Sequence, residues 1–222
     1  MTEYAILYQS FDIFMPNEDL GQKPTTARAD FFYVAGITLL GLCLRLSNIN
    51  TEPFWGDEVL SLDITRHFQS MSQIIDYLRW VEIHPPLYYF GVQHWIGWFG
   101  TSEAAVRSLS LIFGVGMIPL TYFTARRVFQ NRLTGILSAL IIALMPMQIE
   151  FSQEARPYII FCFFGTLSMW ALSEYLFNES LTRLKKNLYL AIYILSNLIG
   201  LYLHYSYLFG LAAISIFGWP TF

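Results

Sequence analysis

Five times along this chain, at about 31–47, 104–125, 133–150, 157–177 and 188–203, apolar residues run on for close to a bilayer's thickness, with at most one charged residue in each run. A helix needs about 20 mostly apolar residues to cross the hydrocarbon core. The pattern predicts an all-α, polytopic helical membrane protein rather than a globular domain with one core. Composition agrees: of 222 residues, 55% are hydrophobic and 13% charged, against about 25% charged in a soluble domain. A net charge of −3 leaves no basic footprint, and so no nucleic acid partner is expected.

His204-Tyr205-Ser206 interrupts the last apolar stretch, so a further helix should start at about 207. Too few residues remain before Phe222 for it to cross, and a membrane domain at 31–222 is expected to be incomplete at its C-terminus. Residues 1–30 read as a polar to mixed cytoplasmic segment with no signal-peptide pattern. Arg126, Arg127 and Arg132 fall between the second and third spans, and Arg183, Lys185 and Lys186 between the fourth and fifth. With Lys23 and Arg28 before the first span, they put one side of the membrane under the positive-inside rule. The opposite loop, 48–103, carries Glu52, Asp57, Glu58, Asp63, Asp76, Glu82 and Glu103 against Arg66 and Arg79. This orients the N-terminus inward and the long first loop outward.

That loop is itself structured. Asp57 is placed to cap a helix with Leu60, Ile64, Phe68 and Met71 at helical spacing, and Ser72 to cap a second short piece. Pro86 is suited to open a third, Leu87 to Phe99, too short to span. Such segments lie in the membrane interface and would roof a cavity at the outer leaflet.

The chemistry-bearing residues collect at this boundary. In Phe54-Trp55-Gly56-Asp57-Glu58, adjacent carboxylates at membrane depth are costly and read as functional by default. Asp57 would serve as a general base, with Glu58 orienting substrate; the plainer reading is a helix cap with a favourable charge at its positive end. His84-Pro85-Pro86 makes a stiff elbow that aims His84 at a polar pocket or lipid head group, or leaves it an ordinary loop histidine. Glu154 and Arg156 share a tight turn before Pro157, where Arg156 could neutralise a phosphate or simply pair with Glu154. Arg107 is four residues from Glu103, the spacing of a helix-face ion pair. Arg45, near the end of the first span, is read as snorkelling. His204 marks the outer end of the fifth span, as an interfacial histidine or a member of the cluster. Asp57, Glu58 and Glu154 together could hold a divalent cation, though no spacing demands one. What unites the set is convergence, since Asp57, His84, Glu154, Arg156 and His204 are all expected at one depth on one face.

The ordered set Arg45-Leu46, Trp55-Gly56-Asp57-Glu58, His84-Pro85-Pro86-Leu87-Tyr88-Tyr89, Glu103-Ala104-Ala105-Val106-Arg107-Ser108-Leu109-Ser110, Ser152-Gln153-Glu154-Ala155-Arg156-Pro157-Tyr158 and His204-Tyr205 resembles the bacterial branch of the protein-mannosyltransferase superfamily. These are GT-C-type integral-membrane glycosyltransferases, akin to protein O-mannosyltransferases and the lipid-A aminoarabinose transferase. The resemblance implies transfer of a sugar, with inversion, from a polyprenyl-phosphate carrier to a lipid, glycan or protein acceptor. The reaction would take place on the non-cytoplasmic face of a bacterial inner membrane. It assigns Asp57 as base or acceptor-orienting group and His84 as a contact to carrier phosphate. Arg156, Glu154, Arg107 and His204 are the further candidates for the donor side. Relatives of this kind usually carry more spans, so a non-catalytic carrier-binding protein, or a truncated remnant of such an enzyme, is the alternative.

Overall fold

The computed structural model describes residues 24–218 apart from 69, 82 and 83. The polar segment at 1–23, Glu82 and the chain beyond 218 lie outside the described residues. Ten helices make up the regular structure described. After α1 (Pro24–Leu46), three short helices, α2 (Gly56–His67), α3 (Met71–Val81) and α4 (Leu87–Phe99), occupy the first loop. Then come α5 (Glu103–Phe129), α6 (Arg132–Leu144), α7 (Pro146–Ser152), α8 (Tyr158–Phe177), α9 (Arg183–Leu203) and α10 (Tyr207–Gly218). Helices α1, α5, α8 and α9 are each long and apolar enough to cross a bilayer, and α6 with α7 makes a fifth if the bent pair is one span. The chain is a polytopic helical membrane protein.

Short connections turn successive spans back on one another, so their ends gather in two groups. At the basic end, the buried Asp30 carboxylate accepts from Tyr122 Oη (2.8 Å) and Arg126 Nη1 (3.0 Å) and pairs with Arg132. Arg127 Nε bonds Glu174 (2.6 Å), whose other oxygen takes Asn178 Nδ2 (2.8 Å). These bonds tie α1, α5, α6 and α8 together at one end of the bundle. A cavity of about 650 Å³ lies nearby between α1 and α5, lined by Phe31, Leu42, Pro119 and Phe123.

The third span differs from the single helix expected over 133–150. It breaks at Met145 and bends by 60°. Pro146 has no N–H for the carbonyl of Ile142 and its ring crowds the preceding turn, so it opens α7 instead. The carbonyls freed at the break would be stranded in hydrocarbon, and Arg45 meets them. Its Nη2 donates to Ile142 O (3.0 Å), Nη1 to Ala143 O (3.1 Å) and Gly41 O (3.1 Å), and Nε to Ser152 Oγ (3.0 Å). Arg45 therefore does not snorkel. It is fully buried, turned inward by acceptors that its own sequence neighbourhood does not reveal.

At the opposite end α2, α3 and α4 pack on α5 and α8 around Ile64, Ile74, Tyr89, Val92, Val106 and Ile159, all buried. Trp95 Nε1 donates to Ala105 O (2.9 Å) and Ser108 Oγ (3.0 Å), joining α4 to α5. Ser70, not Ser72, supplies the oxygen for the first turn of α3, accepting from the Gln73 amide (3.4 Å). The helix after the first span begins at Gly56, with Asp57 and Glu58 inside its first turn, so Asp57 is not its cap. Trp55, Trp80 and Trp98 stand exposed on this assembly (47%, 88% and 75%), as amphipathic rings do at the lipid–water boundary.

Candidate active site

Successive residues on a helix point about 100° apart, so Asp57 and Glu58 cannot face the same way. Glu58 turns inward and is fully buried. Arg107 grips it through Nε to Oε1 (2.9 Å) and Nη2 to Oε2 (2.7 Å). The Ala155 amide donates to Oε1 (2.7 Å), and Oε2 reaches back to the Trp55 amide (3.3 Å). Arg107 spends its remaining donors on the carbonyls of Ile49 (3.0 Å), Glu52 (2.9 Å) and Pro53 (3.3 Å). Glu58 and Arg107 thus join the loop before α2, the start of α5 and the turn before α8. This corrects two expectations: Glu58 has no free oxygen for a substrate, and Arg107 holds Glu58 rather than Glu103 or a phosphate. It also disperses the trio of acids offered to a divalent cation, because Glu58 is taken. Among the described residues no group of three or more His, Cys, Asp or Glu stands in a metal-holding arrangement.

Asp57 turns the other way, with a side chain 47% exposed. It meets Arg156 of the 153–157 turn, Nη2 to Oδ2 at 3.5 Å, so the acidic partner of Arg156 is Asp57 and not Glu154, the neighbour that the spacing in that turn suggested. Arg156 is itself buried. Its Nη1 is 3.3 Å from both Asp57 O and Ser61 Oγ, while its Nε is buried without a hydrogen-bond acceptor. The guanidinium lies over the Tyr158 ring (5.6 Å). From there a run of rings continues across the site. Tyr158 is 5.7 Å from His204, and His204 is 4.8 Å from His84. Asp57, Arg156, Tyr158, His204 and His84, drawn from four separate parts of the chain, form one contiguous line.

Burial, with the like charge of His84 and then that of Arg156, lowers the His204 pKa. This favours a neutral ring, whose Nδ1 accepts from the Ser206 amide (3.0 Å). Glu154 is half-buried beside the line; burial first, then the carboxylates of Glu150 and Glu58, raise its pKa above the ordinary range. Beneath the site the Tyr88 hydroxyl is buried and pushed well above its ordinary pKa, chiefly by burial, so it stays protonated. Sequence reasoning passed over Tyr88, Ser61 and Tyr158. The first and last stood inside quoted motifs, where aromatic character hid their hydroxyls.

With that geometry in view, the comparisons with known proteins carry weight. Residues 66–218 match the family model described as dolichyl-phosphate-mannose-protein mannosyltransferase, a stretch holding His84, Glu154, Arg156 and His204 but starting after Asp57. An uncharacterised protein of Aquifex aeolicus (strain VF5) is 36% identical over 114 residues, which cover 51% of this chain and 22% of that protein. The match thus spans about a fifth of that relative's length. No solved structure matches significantly. On the extent of the family match, joined to a polytopic helical fold, the chain belongs to the dolichyl-phosphate-mannose-protein mannosyltransferase family.

Proposed function

We propose that this chain carries the reacting groups of a glycosyltransferase that moves a sugar from a polyprenyl-phosphate carrier to an acceptor hydroxyl, with inversion, on the non-cytoplasmic face. The observation that supports it most is the pairing of an exposed carboxylate, Asp57, with a buried guanidinium, Arg156, that retains an unsatisfied N–H. Such a transfer asks for two opposite services. The acceptor oxygen must lose its proton as it bonds the anomeric carbon, and Asp57 takes that proton as general base. The bond from that carbon to the phosphate oxygen breaks with its electron pair going to the phosphate, whose charge Arg156 neutralises. Attack from the face opposite the departing phosphate inverts the centre, so the sugar must enter between Asp57 and Arg156 and part their 3.5 Å contact. His84 and His204 continue the line from Arg156 and contact the carrier phosphate or the sugar, and Glu154 borders the same space. Glu58 and Arg107 act as the frame that holds α2 against the 153–157 turn.

The wild-type chain and Asp57→Asn, reconstituted in vesicles with a polyprenyl-phosphate sugar and an acceptor, test the reading. Loss of the base should cut transfer by about 10²–10⁴-fold while membrane insertion and carrier binding persist. Undiminished transfer by Asp57→Asn would overturn the assignment. Carrier binding without any transfer by the wild-type chain would favour the non-catalytic alternative.

A further inference from the structure

Arg45 is fully buried one residue before the end of α1, and among the described residues no carboxylate is a hydrogen-bond partner of it. A guanidinium buried without a counter-charge is costly, so the placement calls for a cause, and its acceptors supply one. Ile142 O and Ala143 O are carbonyls left open where Pro146 interrupts the third span, and Arg45 takes both (3.0 and 3.1 Å). Its Nε bonds Ser152 Oγ (3.0 Å) at the last residue of α7. One rigid planar fork therefore bridges the bend from the end of α6 to the end of α7. Glycines leave it the room. A methyl group on Gly114 would overlap the Ser152 side chain and lie 3.4 Å from Arg45 Nε, and one on Gly41 would press within 3.2 Å of Nη1. Directly after Ser152, Gln153 Nε2 donates to the Arg45 carbonyl (3.0 Å). The turn then presents the Ala155 amide to Glu58 and Arg156 to Asp57.

We propose that Arg45 is a positioning residue: by capping the broken third span it sets where the 153–157 turn, and with it Arg156, stands against Asp57. The inference rests on the reading of Arg156 as the phosphate-binding cation. It concerns a residue that touches no substrate and acts through the turn alone.

The test uses the whole chain in nanodiscs and two measurements. Hydrogen exchange across 153–157 reports the turn's placement without any ligand, because the Ala155 amide is held by Glu58 (2.7 Å). Arg45→Met, close in length but without donors, should speed exchange there by about tenfold, with Ser152→Ala following in the same direction. Exchange within α8 and α9 should stay near wild type. Titration with a polyprenyl monophosphate, read through tryptophan fluorescence, should show binding about tenfold weaker in Arg45→Met. Adding Arg45→Met to Arg156→Gln should weaken binding no further, since the first acts only through the second. Unchanged exchange at 153–157 in Arg45→Met overturns the proposal. So does an unchanged affinity where Arg156→Gln is weakened, or a double variant whose losses add. If Arg45→Met does not fold, Ser152→Ala decides by the same two measurements. Faster exchange, with affinity unaltered even in Arg156→Gln, would remove the phosphate reading and leave the dependence of the turn on Arg45 standing.

Discussion

Arg107 and Glu58 meet as fork on fork, two parallel hydrogen bonds of 2.9 and 2.7 Å between side chains that are both almost wholly out of contact with solvent. Such a pair is dear to break from one side, because the partner is left charged and buried. Glu58→Gln, or Arg107→Met alone, should destabilise the detergent-solubilised protein by about 3–5 kcal/mol. The double variant Glu58→Gln/Arg107→Met should recover part of that loss. Thermal unfolding of the four proteins measures the coupling, and purely additive losses would show that the fork is not a unit.

His204 should make the fold sensitive to mild acid. Its folded pKa lies below the ordinary 6.5, through burial, His84 and Arg156. Between the two values the unfolded chain binds more protons than the folded one, so stability falls as pH drops through 6.5 towards the folded value. Unfolding curves at pH 7.5, 6.5 and 5.5 should show this decline, and His204→Gln should reduce it. Equal slopes in the two proteins would mean that another group governs the response.

Glu154 should work in the reverse sense. Its folded pKa is raised above 4.5, first by burial and then by Glu150 and Glu58. Its stabilising contribution is complete below 4.5 and is lost as pH rises through the folded value. Glu154→Gln should therefore raise the unfolding temperature at neutral pH relative to wild type, and the gain should shrink as pH falls towards 4.5. A lower midpoint at neutral pH would contradict the assignment.

Gly200 should tolerate no side chain. The Tyr207 ring lies flat on it, its hydroxyl bonding Asn197 Oδ1 (2.9 Å), and a methyl at Gly200 would overlap the ring. Gly200→Ala should cost about 1–3 kcal/mol, the usual penalty for overfilling a packed contact. The loss should appear as a lower unfolding temperature. Tyr207→Phe, which keeps the ring and drops the hydrogen bond, should cost about 1 kcal/mol.

The spans were legible because a bilayer reads little besides length and apolarity, and neither needs knowledge of a partner. The bend was only half legible. Pro146 stood in plain sight inside 133–150, but whether a proline kinks a span or ends it depends on what receives the freed carbonyls, and Arg45 lies 97 and 98 residues away from those it bonds. The same limit governed the ion pairs. Sequence spacing proposed Arg107 with Glu103 and Arg156 with Glu154, both local; the fold joins Arg107 to Glu58 and Arg156 to Asp57. Local pairing is what a sequence displays, whereas a buried charge takes the partner that the fold brings to it, desolvated in Glu58 and half-exposed in Asp57. The division between Asp57 and Glu58 could have been foreseen from helical geometry, since neighbours in a first turn face different directions. Orientation put His84 and His204 on one face at one depth; that their rings meet, at 4.8 Å, came only with the fold.

The exposed tryptophans carry one more consequence. With the exposed rings of Trp55, Trp80 and Trp98 set in a headgroup layer, where such rings are enriched, the altitude of Asp57 would be negotiated between protein and bilayer. Lipids of a different hydrophobic thickness would shift that roof relative to the spans beneath it. A substrate anchored by its own hydrocarbon tail hangs from the same plane. On the proposed reading its phosphate would meet Arg156 by lateral drift within a sheet, a two-dimensional search at a level that the tryptophans would set.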